Sequence, residues 1–416
     1  MSARFPHTDS IAECALAAFS ALPQKFKPRT HSSGRREWVP LASIVLSRGH
    51  PQPSLYCVAL ATGMKCLPHK SIQSAAGSVI HDSHAEVLAI RAFNRWLVDE
   101  CAHLARKDPS SSSIWVRWRR TETTSPHRHE CPEGAAAQPF QLMDDVSIHM
   151  FCSEAPCGDA SMELVMAAQA DASPWTALPR DGGMLGRGHF DRLGVVRRKP
   201  SRSDAPATYS KSCSDKLALK QCTGLLSGLT TRLVRHQNVY LRSLVLPATQ
   251  YVPGACARCF GPKGRLSAIN TVEVQREWAS HGYAYRPFDV ETTTREFEYS
   301  RRSSRGAEAV ASNICAVITP IRHEVLINGV LQGRKLGDKE GASCISRRRM
   351  WESIEELAEA LQSRGEPTST ESWPTYAQIK THRRLDGRAQ VKRCVGDLAL
   401  QGWSSNTVDD HWTLEE

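Results

Sequence analysis

Three short segments of this 416-residue chain hold side chains able to grip a metal and move a proton: His84-Ala85-Glu86, Pro156-Cys157-Gly158-Asp159 and Ser212-Cys213-Ser214-Asp215-Lys216. One imidazole and two thiolates suit tetrahedral zinc, and a three-ligand set leaves its fourth position to water, the catalytic rather than the structural arrangement. Water on zinc ionises near neutral pH, so some group has to accept its proton and pass it on. Glu86 stands two residues beyond the imidazole and can reach that water without binding the metal. Each segment reads as the start of a helix, where the positive helix end lowers a thiol's pKa.

Plainer readings exist for each piece. Ser83-His84-Ala85-Glu86 is also a formal capping box, which would occupy Glu86 with backbone N–H groups. Cys157 and Cys213 could be ordinary half-buried thiols. Three isolated caps would not require His, Pro-Cys and Cys in this order, and His-x-Glu followed by Pro-Cys is the signature of zinc nucleobase deaminases. That signature places its second cysteine three residues after the first, where this chain has Ala160. The third ligand therefore comes from farther away. Cys213 lies 56 residues on, while Cys152 competes from five residues upstream, at the end of an apparent strand.

The elements that must position these groups can be read from periodicity. A first helix is expected over Ser10 to Leu22, with Ser10 and Glu13 at capping-box spacing. Strands are expected over Val39 to Leu46, Leu55 to Thr62, Val146 to Phe151 and Asn238 to Leu246. Apolar residues at three- and four-residue steps predict a long amphipathic helix over His84 to Leu104, and further helices over Gly158 to Ala170, Leu217 to Leu229 and Trp351 to Ser363. A late strand pair is expected at Ala316 to Thr319 and Val325 to Ile327. Residues 107–140 and 180–210 read as loop insertions. Strand–helix alternation points to one α/β layered domain spanning 1–416 rather than several domains.

Composition narrows the class. Apolar residues make up 41% of the chain, enough for a core. Fourteen cysteines are too few for a disulfide-stapled scaffold of this length. No run is long and apolar enough for a membrane helix, and no secretory leader is evident, so residence in cytoplasm or nucleus is expected. The formal charge of +10 favours an anionic partner such as nucleic acid. The basic runs at Arg35-Arg36, Arg117 to Arg120, Arg197 to Lys199, Arg301-Arg302, Arg347 to Arg349 and Arg383-Arg384 are expected to be solvated faces. The tryptophans near Arg117 are expected to pack on the core rather than stack RNA bases, and Cys256-x-x-Cys259 lacks a partner pair for a second metal.

A distant cysteine inside Ser-Cys-Ser-Asp-Lys resembles the adenosine deaminases acting on RNA and tRNA. The stretch His81 to Glu86, the run Pro156 to Ala160 and the segment Ser212 to Lys220, with Arg198-Lys199-Pro200 before it, are most similar to the eukaryotic tRNA-specific branch in its fungal form. The resemblance implies a three-layer α/β/α cytidine-deaminase-like core with long insertions and an elaborated C-terminal part. It implies zinc on His84, Cys157 and Cys213, with Glu86 as the proton shuttle for attack of activated water on C6 of a flipped-out adenine. The substrate implied is the adenosine just 3′ of the anticodon, position 37, of alanine tRNA, with no obligate protein partner evident.

The resemblance further implies a buried inositol hexakisphosphate. Matching positions are Arg91, Lys216, Arg347, Tyr376, Lys380, Lys392 and Trp403, with Asp82 and Lys199 as the pair linking zinc to polyphosphate. Where the family carries two arginines after His-Ala-Glu, this chain has Ile90 and Arg91. Competing functions are a free-nucleoside or cytidine deaminase, an editor of double-stranded RNA, and a non-catalytic zinc-containing RNA-binding subunit. The distant Cys213 counts against the first, the early catalytic pattern against the second, and Glu86 against the third.

Overall fold

The structure is a computed structural model that describes residues 7–49, 53–106, 113–119, 138–168, 184, 192–199, 206, 208–303, 309–366, 373–404 and 406–415. Helix α1 (Thr8–Ser20) is followed by β1 (Glu37–Trp38), the antiparallel pair β2 (Leu41–Arg48) and β3 (Ser54–Thr62), and the short β4 (Met64–Cys66). Strand β5 (Asp82–His84) runs directly into α2 (Ala85–Ala105). The short β6 (Val116–Trp118) and β7 (Phe140–Leu142) precede β8 (Val146–Cys152), α3 (Met162–Ala167), α4 (Cys213–Thr223) and β9 (Leu241–Pro247). After α5 (Pro253–Phe260) and α6 (Val272–Ala279) come β10 (Asp289–Thr293), β11 (Val310–Ala311), β12 (Cys315–Ile318), β13 (His323–Ile327) and β14 (Val330–Leu331). Helices α7 (Arg347–Gln362), α8 (Tyr376–Lys380) and α9 (Asp386–Leu398) close the chain.

The class is mixed α/β. One eight-stranded sheet runs β10-β9-β8-β2-β3-β12-β13-β14; β8, β9 and β10 are parallel and the other pairs antiparallel. Alternation along the strands divides its side chains between two clusters. Ala42, Ile44, Met150 and Leu244 face α2, whereas Leu41, Val45, Phe151 and Val245 face α1. A bulge at Ile44/Val45 leaves Val58 of β3 unpaired, so that Val58 and Ala59 both turn to the α2 side. Helix α2 is buried nearly all round beneath later elements, Glu86, Asn94 and Arg95 included. Each fully buried Leu88, Phe93 or Leu97 contributes about 1.5–3 kcal/mol before entropy is counted.

Several boundaries differ from expectation. Helix α1 begins at Thr8, with His7 Nδ1 accepting from the Asp9 N–H at 3.2 Å, so Ser10 is not its cap. Asp9 fixes that start, because its carboxylate receives the Thr293 hydroxyl at 2.5 Å and the Thr294 N–H at 2.8 Å at the end of β10. The expected helix from Gly158 shrinks to a 3₁₀ turn at Asp159–Ser161 and the short α3. Helix α4 stops at Gly224, whose φ of +64° ends it, so Leu225, Leu226 and Leu229 pack in the core beyond the helix. The central portions of the 107–140 and 180–210 insertions lie outside the described residues. The flanks of the first pair as β6 and β7, Trp118 lies against Phe140 at 4.6 Å, and Trp115 packs on Tyr56 at 5.6 Å. Among the described residues, no helix is long and apolar enough to cross a membrane.

Two basic runs are not solvated faces. Arg197, Lys199 and Arg348 are buried. Arg197 donates to Arg192 O at 2.6 Å, and Arg348 donates to Leu414 O and Ala76 O over the Trp412 ring. Buried cations of this kind persist only where acceptors or counter-charges meet them.

Candidate metal centre and cation cluster

The three segments separated in sequence converge at one point. His84 arrives at the end of β5, in the N-cap position of α2, Cys157 follows β8, and Cys213 opens α4. One ligand atom each from His84, Cys157 and Cys213 lies within 4.8 Å of the others, and Cys157 Sγ stands 3.6 Å from His84 Nδ1. No side-chain cap bond forms at the start of α2, so the capping-box reading of Ser83 and Glu86 fails. Cys152 is not part of this group; its side chain lies in the core with Ala42 and Ile44, where burial raises its pKa well above the ordinary value.

The residues around the two cysteines explain their motifs. Gly158 has φ +105°, and a Cβ there would fall 2.3 Å from Ser212 Oγ, so only glycine lets the two loops approach. Ser214 joins them, donating to Pro156 O at 2.9 Å, accepting from Ala160 N at 3.1 Å, and sending its own N–H to Cys157 O at 3.0 Å. Asp215 holds the start of α4 by accepting from Ser212 Oγ at 2.6 Å, Arg197 N at 2.9 Å and Arg265 at 2.6 Å. Asp159 is held by Arg258 and the Gly194 N–H. Arg258 and Arg265 were invisible to the sequence reading, because they follow the motifs by some 40 to 100 residues. Cys259 accepts from Arg265 at 3.1 Å, and its thiol is pushed up to about 12 chiefly by burial, so the Cys256-x-x-Cys259 pair forms no metal group.

Electrostatics prepare the centre for a cation. The Cys157 thiol is held well below its usual range, first by the hydrogen bond from Cys213 and then by Lys199 and His84, against the cost of burial. Glu86 is buried beside these groups. Burial first, then the charge on Cys157, raises its carboxyl pKa, which suits a group that holds and releases a proton. Soft thiolates and an imidazole at mutual distances of this order fit a zinc ion.

Asp82 is the hub behind the metal group. Its Oδ1 accepts from His84 N at 3.1 Å and Lys199 Nζ at 3.0 Å; its Oδ2 accepts from Lys199 at 2.8 Å and from Lys216. Lys199 also donates to Cys213 Sγ at 3.3 Å. The paired lysines and His84, working against burial, hold the Asp82 carboxyl well below the usual carboxylate range.

From Lys216 outward the chain gathers cations. Arg91 donates to Ile345 O at 3.1 Å and lies near Arg347 and Tyr376; burial, then Arg347, lowers its pKa. Arg347 reaches Asp409 O at 2.7 Å and crosses the Tyr376 ring at 5.5 Å. Lys380 meets Asp410 at 2.5 Å. Lys392 on α9 stands close to Lys380 and Arg388, and Trp403 joins through Lys211, 5.9 Å from its ring. The sequence reading missed Lys220 and Arg388. The signal for Lys220 was its position four residues after Lys216, on the same face of α4. Lys220 Nζ finds only the carbonyls of Leu225 and Leu226, at 3.0 and 3.3 Å, and burial, then Arg388, Lys392 and Arg91, drive its pKa far down. Ile90, at the departure from the family's arginine pair, faces the core. Among the described residues the carboxylates reaching this cluster are Asp82, Asp409 and Asp410. The surplus of mutually repelling, poorly solvated cations fits an anion of several charges.

Comparison with known proteins agrees with this chemistry. The adenosine-deaminase (editase) domain matches residues 59–407. The tRNA-specific adenosine deaminase 1 of Schizosaccharomyces pombe is 34% identical over 402 residues, covering 95% of this chain and 94% of that protein. The protein of the same name from Saccharomyces cerevisiae is 30% identical over 250 residues, 58% of each chain. The Drosophila melanogaster one is 28% identical over 252 residues, 58% of this chain and 55% of that protein. With His84, Cys157 and Cys213 brought together where a metal ion could be held and its sequence matched over most of its length, the chain belongs to the adenosine-deaminase (editase) domain family.

Proposed function

We propose that this protein is a zinc-dependent tRNA adenosine deaminase that converts adenosine to inosine, with adenosine 37 of alanine tRNA as substrate. The observation that carries the reading is the convergence of His84, Cys157 and Cys213 with a buried Glu86 beside them. The names of the matched relatives support tRNA as the substrate class. Helices on both faces of one mixed sheet are consistent with a cytidine-deaminase-like three-layer core, with the whole chain as one deaminase domain.

Zinc bound by these ligands would supply Lewis acidity that makes water a nucleophile near neutral pH. The Glu86 carboxylate takes a proton from the attacking water and delivers it to N1 of adenine while the new C6–O bond forms. It then helps protonate the departing amino group, so that water and adenosine leave as inosine and ammonia. Its raised proton affinity matches both halves of that exchange. A zinc site with a purely structural role would have no use for a buried carboxyl in this place.

The surplus cations support a buried inositol hexakisphosphate, held by Lys216, Arg91, Arg347, Lys380, Lys392 and Tyr376, with Trp403 at the margin and Lys220 and Arg388 added. Asp82 and Lys199 would then connect the anion to the metal ligands. The test has two arms. Wild-type protein incubated with unmodified total tRNA is expected to yield inosine at position 37, while Glu86→Ala keeps zinc and fold and loses roughly 10²- to 10⁴-fold in rate; wild-type turnover in that variant would falsify the mechanism. Acid release from purified protein is expected to yield one polyphosphate per chain, and active, folded protein without it removes the buried anion.

A further inference from the structure

The β4–β5 ladder sets Cys66 opposite Asp82 and Met64 opposite His84. The Cys66 thiol donates to Asp82 Oδ1 at 3.5 Å. Cys66, Asp82 and His84 each offer an atom within 4.8 Å of the other two, yet Cys66 does not belong to the group formed by His84, Cys157 and Cys213. It is therefore a neighbour of one ligand rather than a fourth ligand. His84 turns Nδ1 toward Cys157, at 3.6 Å, which leaves Nε2 as the nitrogen pointing away from the metal group, and a ring nitrogen lies within 4.8 Å of Cys66 Sγ.

A histidine that binds metal through one nitrogen almost always donates the proton of the other to an acceptor, which fixes the tautomer and the ring orientation. A carboxylate is the usual acceptor, and Asp82 is close by. Its oxygens are already taken, Oδ1 by Lys199, the His84 backbone N–H and Cys66, Oδ2 by Lys199 and Lys216. The sulfur between Asp82 and the ring is what remains.

We propose that Cys66 is the positioning residue for His84: its sulfur accepts the Nε2 proton, its own thiol proton goes to Asp82, and Nδ1 is thereby kept as the lone pair that faces the metal. Through Asp82, which also grips Lys199 and Lys216, the orientation of the imidazole is tied to the cation cluster. The inference rests on zinc binding at His84, Cys157 and Cys213.

The test measures zinc affinity of the full-length protein by competition with a chromophoric chelator, alongside the absorption spectrum of the cobalt-substituted protein. Cys66→Ala removes both donor and acceptor and is expected to weaken zinc about 10- to 100-fold and to alter the cobalt spectrum, with KM for tRNA unchanged. Cys66→Ser retains a donor and an acceptor and is expected to recover most of that loss. Wild-type zinc affinity in Cys66→Ala overturns the proposal, as does a serine variant no better than the alanine one. His84→Ala is the control: if it keeps zinc, the metal site itself is misassigned, whereas its loss of zinc beside a wild-type-like Cys66→Ala removes only the role of Cys66.

Discussion

The metal centre and the cation cluster share Asp82 but solve opposite problems. Around His84, Cys157 and Cys213, nearly every charge is answered inside the chain: Cys157 by Lys199 and Cys213, Lys199 by Asp82, Asp215 by Arg265. Around Lys220, Arg388, Lys392 and Arg91 cations outnumber the carboxylates that reach them, which among the described residues are Asp82 and Asp410, and Lys220 and Arg388 turn to backbone carbonyls. The first region is ready for one small cation. The second concentrates charge of one sign against few carboxylates, and the contrast teaches that the metal loops are held by the chain's own ion pairs while neighbouring cations are left to repel one another.

The sharpest way to break this contrast is at the hub. Asp82→Asn leaves Lys199 buried without its counter-charge and should cost about 3–5 kcal/mol, read as a fall in melting temperature with loss of both zinc and polyphosphate; loss of zinc alone would show that the two regions are independent. Gly158→Ala attacks the metal side only. Its Cβ meets Ser212 Oγ, and a non-glycine residue at φ +105° is strained, so about 1–3 kcal/mol and the zinc should go while polyphosphate stays, as elemental and phosphate analysis can show.

The cation side can be tested by pH. Burial, then Arg198 and Lys216, lowers Lys211 to about 8 from 10.5. Between those values the unfolded chain binds the extra proton and the folded, anion-free chain does not, so stability should rise with pH from about 8 to 10.5. Melting curves of stripped protein should show that rise, whereas Lys211→Gln and polyphosphate-loaded protein should show less of it. The smallest effect belongs to Cys152→Ala, which should cost ~1 kcal/mol in packing and leave zinc content unchanged; lost zinc would return Cys152 to the ligand set.

Much of the metal centre was legible because its parts are local signals. His84-Ala85-Glu86, Pro156-Cys157 and Ser212-Cys213 name their chemistry through residue type, and the long α2 announced itself through apolar spacing. The short α3 was not legible, since Gly158 at φ +105° and a 3₁₀ turn delay the helix start to Met162. Helices α5 and α9 were missed, and with them Arg258, Arg388 and, in the turn after α5, Arg265, because a lone arginine carries no pattern. Arg197 and Arg348 looked like surface charge, because burial depends on acceptors such as Arg192 O, Ala76 O and Leu414 O that come from elsewhere in the chain.

By itself the amino-acid order determined which atoms could bind zinc, which carboxyl could carry a proton, and that the chain would form alternating strands and helices. Those properties belong to side-chain chemistry and to spacing within a few residues. Only the tertiary structure decided that Cys213 rather than Cys152 joins the pair, that Asp82 serves two lysines at once, and that Lys220 faces other cations. Each is a distance between segments remote in sequence, and such distances are set by how strands pair and helices pack.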